Sequence, residues 1–583
     1  MKALLVFPPF RDPTRPHPAL PLHAAVVAAS GAGSARIEDA NIAFWDESLR
    51  RGGLLCAMEA IRSRLDRCPA GDPGAMASEL RAALALGERV ADKVEGARGA
   101  LQSQSQFQDA ERYTAALKVL RLGLRVLSAR WWPTRMDLVD LKLRFSPESK
   151  RDVEQAVDAA DENPFIEFFD RTTARRVREE GFALVKISLI YPSQVIPGLT
   201  LARRVKQAAP QVHVALGGTW VCQVADRLRA WPWLFEQADS LITDAPIPYD
   251  SEYGEDGLVA LMASLNGRRA LRSVPGLVYR DPNSSAIAAN PRGPPVDPAR
   301  LPAPTFDDVR WGSYLSPAPV VSLSFTRGCR WDRCSFCGHR GEYRSRSAAQ
   351  ALEDVRALKR RGYRCFHFCD DSADADLVRG LAAGLLAARV DCRWHWMIRP
   401  GHGITGADCK ALFDAGCRSV FVGLESASPR VLRLIDNGAS PEAAIDLVRS
   451  SDEAGIGARS FSIVGFPTES EAEAAQTLEL LRGIQGHLRL SAVLPFLLTP
   501  GSRMQGEPDA YGIAEVSEPS EDDLRPHLAF AARGGMSRAS ALELASRCQQ
   551  TLLSEAVRPP EPSAYFSPLL SAHGLLRLAS DSR

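Results

Sequence analysis

Residues 325–338 read FTRGCRWDRCSFCG and place Cys329, Cys334 and Cys337 on one short segment. An apolar, β-branched run, PVVSLSF (319–325), precedes it and reads as a strand delivering the cysteines into a loop. Three thiolates this close can hold three irons of a [4Fe–4S] cubane and leave the fourth open to another ligand. The same thiols with His339 make a Cys3His set that would suit zinc. A structural zinc site, however, usually draws on a second ligand pair farther along the chain.

Downstream the chain alternates helical and strand-like segments, the pattern of a parallel α/β architecture. SAAQALEDVRALKRRG leads to YRCFHFCDD, ADLVRGLAAGLLAARV to CRWHWMIRP, and TGADCKALFDAGC to RSVFVGLES. SPEAAIDLVRSSDEAG then leads to IGARSFSIVGFPTES, and SEAEAAQTLELLRGI to LSAVLPFLL. With the strand before the cysteines this makes six β/α steps. Polar residues at strand ends are where such barrels place their chemistry: Asp370 and Asp371, Glu425 and Ser426, and Gly465 fall there. Each of these carboxylates could equally cap the helix that follows.

Upstream lies a second α/β pattern in two pieces. MKALLVFPPF, helix-like PLHAAVVAASG and strand-like SARIEDANIAFW form the first; ALVKISLIYPSQ, GLTLARRVKQAA and QVHVALGGTW form the second. Between them, 47–163 shows apolar residues at three- and four-residue spacing, as in AMASELRAALALGERVADKV, and reads as a helical insertion. The proline-dense segment from Asp281 to Pro304 marks a linker. The tail is helical around SRASALELASRCQQTLL.

The cysteine segment resembles the cluster loop of the radical SAM superfamily. Relatives have three residues between the first two cysteines, and this chain has four, Arg330 to Arg333. VGLESASPRVL and IVGFPTES resemble the "GIES" and "GFPGET" stretches of radical SAM proteins that carry a cobalamin-binding domain. Asn437 stands where many of these have lysine, and Thr468 where many have glycine. ISLIYPSQ followed by ALGGT resembles that cobalamin-binding domain, with IPYDSEYGEDG an approximate version of its acidic turn. The Asp-x-His-x-x-Gly signature that supplies an axial imidazole is absent, and His17, His23 and His213 read as structural or surface residues.

The resemblance implies an α/β protein: a Rossmann-like cobalamin-binding domain (1–46 and 164–280) interrupted by a helical insertion (47–163), a linker (281–317), a partial (β/α)6 radical SAM barrel (318–500) and a helical C-terminal cap (501–583). It implies three cofactors: a [4Fe–4S] cluster on Cys329, Cys334 and Cys337; S-adenosylmethionine (SAM) contacted by Phe336, Asp370, Asp371, Glu425, Ser426 and Gly465; and cobalamin contacted by Ser188, Tyr191, Gly217 and Gly218. The implied reaction is C-methylation of a natural product or peptide. A 5′-deoxyadenosyl radical would abstract hydrogen, and methylcobalamin would donate the methyl group. A rearrangement, cyclisation or oxidation by the same radical is the alternative, and a non-catalytic zinc-binding α/β protein is the reading from another class. Tyr191 and Trp220 are the residues nearest to substrate-side candidates, and no acid or base is assigned.

Composition narrows the partners. The chain has 583 residues, is 45% hydrophobic and 24% charged, and carries a net charge of +1. Nothing in this balance points to nucleic acid or a membrane surface. Twelve scattered cysteines make no disulfide framework, which fits a reducing cytoplasm. The expected partners are a small-molecule or peptide substrate and an electron donor such as flavodoxin or ferredoxin.

Overall fold

The computed structural model describes residues 1–68, 74–138, 140–244, 254–338, 342–370, 374–401 and 403–554. Its first sheet begins with β1 (Lys2–Phe7) and β2 (Ser34–Asp39), joined by α1 (Ala19–Ser30). Only Ser34–Asp39 of the strand-like SARIEDANIAFW is extended. Asp39 accepts the Ile42 N–H at 3.0 Å and caps α2 (Ala40–Ser48), which ends the strand. After the insertion the sheet resumes with β3 (Leu184–Ser188), β4 (His213–Gly217), β5 (Ser240–Ile242), β6 (Leu277–Arg280) and β7 (Ile287–Ala289). Strand order is β2-β1-β3-β4-β5-β6-β7, parallel through β5 and antiparallel beyond. Residues 287–289, inside the expected linker, are therefore the sheet's last strand. The chain builds outward from β1 in one direction to β2 and in the other to β3. That reversal opens a crevice at the carboxyl ends of β1 and β3, where open α/β sheets bind ligands.

The insertion is built on α3 (Arg51–Leu65), α4 (Ala75–Gln102) and α5 (Ala110–Arg130). Along α4 the buried residues Leu80, Ala83, Gly87, Val90 and Val94 recur at helical spacing. Gly87 lets α3 approach, since a Cβ there would lie 2.5 Å from Met58 Sδ. This apolar face merges with the core of the first sheet. The insertion also holds the tail, through Ser149 Oγ donating to Asp522 at 2.6 Å.

The second sheet is six-stranded and wholly parallel: β8 (Val320–Leu323), β9 (Cys365–Phe368), β10 (Arg393–Ile398), β11 (Cys417–Glu425), β12 (Gly457–Val464) and β13 (Leu488–Pro495), in that spatial order. α6 (Ala348–Arg360), α7 (Ala375–Ala387), α8 (Gly406–Asp414), α9 (Pro441–Glu453) and α10 (Glu471–Ile484) follow the successive strands. Period-two alternation explains the layering. Val321, Phe366, Phe368, Trp394, Trp396 and Val422 bury themselves against the helices. Their in-register alternates, Ser322, His367, His395, Phe421 and Arg459, line the opposite, concave face. In the tail, α11 (Arg538–Ser554) packs beside β13, and a short antiparallel pair (Ile513–Val516 with Phe530–Ala532) precedes it. Among the described residues no helix is long and apolar enough to cross a membrane.

Candidate cofactor and substrate site

The cysteine loop leaves β8 and passes through Thr326–Arg327, which pairs antiparallel with Arg344–Ser345. Asp370, just past β9, holds that exit. Its Oδ1 accepts the N–H groups of Phe325 at 2.7 Å and Thr326 at 2.6 Å and the hydroxyls of Thr326 and Ser324. Burial nevertheless pushes its pKa up to about 6, and Oδ2 is buried with no partner. Asp370 therefore braces the neighbouring strand exit through one oxygen and does not cap the helix that follows, whose N-cap is Asp374. Asp371 and His339 lie outside the described residues.

Cys329, Cys334 and Cys337 are all partly exposed, and no disulfide forms among the described residues. Burial drives the Cys334 thiol up to about 12, against the pull of Arg399, whose side chain hydrogen-bonds it. Trp331, inside the four-residue spacer, anchors the loop. Its indole N–H donates to the Asp436 carbonyl at 2.6 Å, and the guanidiniums of Arg399 and Arg333 lie 4.7 and 4.9 Å from its ring. Gly438 (φ 70°) accommodates it, because a Cβ there would come within 2.5 Å of the indole. The extra spacer residue is therefore absorbed by an aromatic anchor, with Asp332 in the left-handed region at φ 46°. Among the described residues no three His, Cys, Asp or Glu side chains meet at metal-ligand distance. Ligation of one cluster requires the three thiols to turn toward one another.

Glu425 ends β11 with φ 58°, a conformation that side-chain-bearing residues seldom adopt. Gly423, two residues earlier on the same face, makes room: a Cβ there would lie 2.8 Å from Glu425 Oε1. The carboxylate is 7% exposed, Oε2 has no partner, and burial pushes its pKa up to about 8. Such a group calls for a cation. Ser426 is inward-turned and structural, its Oγ accepting the Ser428 N–H at 3.1 Å. Gly465 (φ 78°) faces α11, where a Cβ would collide with that of Ala541. Its N–H donates to Glu469 Oε2 at 2.6 Å. Glu469 is fully buried, Oε1 is unpartnered, and burial pushes its pKa up to about 7. Phe336 packs against the apolar cluster that includes Val431, Ile435, Phe466 and Phe496.

In the first domain, Ser188, Gly217 and Gly218 sit at the ends of neighbouring strands β3 and β4, and Tyr191 follows β3. Ser188 Oγ accepts from the buried Lys186 ammonium at 2.6 Å. Gly218 (φ 107°) is required by its own chain, since a Cβ would collide with the Leu189 carbonyl. Arg11, from the loop after β1, lies over the Tyr191 ring at 3.6 Å and bridges the crevice at the reversal point. His17 stacks on Phe7 at 4.9 Å, His23 is buried, and His213 bonds Ser240 at 2.8 Å, so all three have structural settings. The acidic-turn stretch falls largely at 245–253, outside the described residues. Arg399, Trp331, Glu469 and the polar groups of the concave barrel face were not singled out by motif. Strand alternation could have found the last, as His367 and His395 each stand between two outward-facing aromatics.

Residues 323–481 match the family described as the Radical SAM superfamily, so the second domain is a radical SAM domain. Over 322 residues the chain is 25% identical to an uncharacterized methyltransferase of Pyrococcus horikoshii, covering 54% of this chain and 66% of that protein. It is 28% identical over 220 residues to the hopanoid C-3 methylase of Methylococcus capsulatus, covering 36% of this chain and 38% of the other. The chain thus spans less than two thirds of these curated relatives. A solved structure of the radical SAM methyltransferase TsrM from Kitasatospora setae, with cobalamin and [4Fe-4S] cluster bound, superposes with a TM-score of 0.55. That match covers 100% of this chain and 99% of the other at 14% identity, a likeness of fold.

A radical SAM domain implies a [4Fe–4S] cluster and SAM, and the residues present fit both. The donor set is three thiols on one loop beside a guanidinium, Arg399, which suits an anionic thiolate cluster. The unpartnered, buried Glu425 carboxylate suits the cationic end of SAM.

Proposed function

We propose that this chain is a cobalamin-dependent radical SAM enzyme that methylates a carbon centre of a natural product or peptide. One observation carries the reading: the loop leaving β1, at the reversal point of the Rossmann-like sheet, reaches the barrel. Arg15 Nη1 donates to Ser322 Oγ on β8 at 2.8 Å. Between the two lies a small cleft lined by Arg11, Arg15, His17, Tyr191, His367 and Cys369. Methyl transfer needs a substrate held between two cofactors, and this cleft joins the two domains that would hold them. The relatives named methyltransferase or methylase support the same reaction class.

When bound, the cluster supplies the electron that cleaves SAM to a hydrogen-abstracting radical, and the corrinoid supplies the methyl group. The chain's own residues hold and orient. Cys329, Cys334 and Cys337 are the cluster ligands of this proposal, Glu425 receives the SAM ammonium, and Phe336 and Gly465 flank the same strand ends. Ser188, Tyr191, Gly217 and Gly218 border the crevice that would hold the corrinoid. Phe7 and Pro18 contribute apolar wall to the cleft beside its charged groups. The electron donor is a flavodoxin or ferredoxin.

The test is reconstituted, anaerobic protein given reductant, candidate substrate and methyl-deuterated SAM. The reading expects 5′-deoxyadenosine and a product heavier by one labelled methyl group. A product altered without that gain would favour the rearrangement or oxidation alternative.

A further inference from the structure

The guanidinium of Arg399 is held beside the cysteine loop by contacts that include no carboxylate. Arg399 follows β10 directly, at the carboxyl end of a barrel strand, where such folds place their chemistry. Its Nη1 donates to the Asn437 carbonyl at 3.3 Å, its guanidinium carbon lies 4.7 Å from the centre of the Trp331 ring, and its side chain hydrogen-bonds Cys334. The loops that hold it are closely packed, since a Cβ on Gly401 (φ 75°) would come 3.2 Å from the Gly438 carbonyl. Asp436, the acid of the second loop, is engaged by Arg333 and Arg503, each at 3.4 Å. Among the described residues the ionisable groups that act on Arg399 are Cys329 and Cys334, both thiols and neither a carboxylate. Its Nε is buried with no partner, so the guanidinium keeps donor capacity in reserve.

A cation held this way, partly out of water, calls for an anion. Thiolates bound to iron supply one, and they accept N–H donors. Hydrogen bonds to the sulfurs and the net charge around them set how readily such a cluster takes up an electron. We propose that Arg399 tunes the cluster, donating to the Cys334 sulfur and so favouring the state that carries one more electron. The step is balanced: a one-electron carrier protein loses one electron and the cluster gains it. No bond forms or breaks and no proton moves, so the added negative charge falls beside the guanidinium. Trp331 is a positioning residue in this scheme, because its ring fixes the plane of the guanidinium. The four-residue spacer between Cys329 and Cys334 is what places that ring. This rests on the preceding reading of Cys329, Cys334 and Cys337 as cluster ligands, and it is independent of the corrinoid and of the substrate.

The test is a potentiometric titration of full-length protein reconstituted anaerobically with the cluster, without SAM. The reduced cluster is counted by its electron paramagnetic resonance signal, and iron is measured on the same samples. Arg399→Gln should make reduction about tenfold less favourable, a midpoint lower by about 59 mV for one electron, at wild-type iron content. Arg399→Lys keeps the charge but not the planar fork, and its midpoint should fall between the two. If Arg399→Gln holds no cluster, Arg399→Lys decides: a midpoint below wild type supports the proposal, and one at or above it overturns it. An unchanged or raised midpoint in Arg399→Gln would overturn it too. So would an effect that appears only once SAM is added, which would assign the guanidinium to the SAM carboxylate. Any of these results on protein that loads iron would leave the radical SAM reading standing. Wild type that takes up no iron would remove that reading together with the proposal.

Discussion

Glu425→Gln should stabilise the protein in the absence of SAM, and only above mildly acidic pH. The wild-type carboxyl has an ordinary value of 4.5, which burial alone pushes up to about 8 in the folded chain. At pH 7 it is therefore mostly protonated when folded and ionised when unfolded. Folding must take up a proton, and each pH unit above the unfolded value costs about 1.4 kcal/mol until the folded value is reached. From 4.5 to 7 this makes about 3 kcal/mol, a ceiling because local relaxation and water entry reduce it. Glutamine is neutral throughout and carries no such term. The sign is fixed: wild type and variant should have similar stability near pH 4, and the variant should gain as pH rises toward 8. Asp370 and Glu469, also raised by burial, are present in both proteins and cancel in the difference. The assay is urea unfolding by near-UV circular dichroism at a series of pH values. Curves for the two proteins that stay parallel from pH 4 to 8 would refute the buried, unpartnered carboxylate. With SAM added the order should reverse, since the variant lacks the charge that pairs with the ammonium.

Two further changes test how the domains and the loop are held. Arg327 and Glu255 form an ion pair at 3.1 Å, 2% and 0% exposed, joining the cysteine-loop exit to the first domain. Arg327→Met should destabilise by about 3–5 kcal/mol by stranding the buried carboxylate, and adding Glu255→Leu should restore much of it; thermal unfolding of the single and double variants checks this. Trp331→Ala should shorten the lifetime of the reconstituted cluster's visible absorbance at unchanged far-UV dichroism, because the loop loses its anchor at Asp436; an unaltered lifetime would deny Trp331 that role.

Much of the architecture was readable because parallel strands alternate so plainly. FHF, WHWMI and SVFV bury one residue in two against the helices, and the helical segments between them carry their own caps, as at Ser347, Asp374 and Ser470. The end of β2 was less legible, since Asp39 stops a strand by capping a helix in the middle of a stretch that reads as one strand. β7 hid in a proline-rich stretch because a three-residue edge strand needs little periodicity. At the site, motif position brought out Glu425 and Asp370 but not their different settings. Asp370 braces Phe325 and Thr326, whereas Glu425 faces no donor on Oε2, and only packing distinguishes the two. Gly218 and Gly465 stood out as possible ligand contacts, yet the Leu189 carbonyl and Ala541 are enough to require glycine there. Arg15 could not be placed by sequence at all, because it meets Ser322 across 307 positions of chain.

The most direct test of the account is the iron, cobalt and zinc content of protein purified anaerobically and reconstituted with cluster and hydroxocobalamin. The account predicts about four irons and one cobalt per chain, with Cys334→Ala losing the cluster. Iron without cobalt would take away the role given to the first domain. Zinc bound in place of iron would contradict the radical SAM chemistry itself.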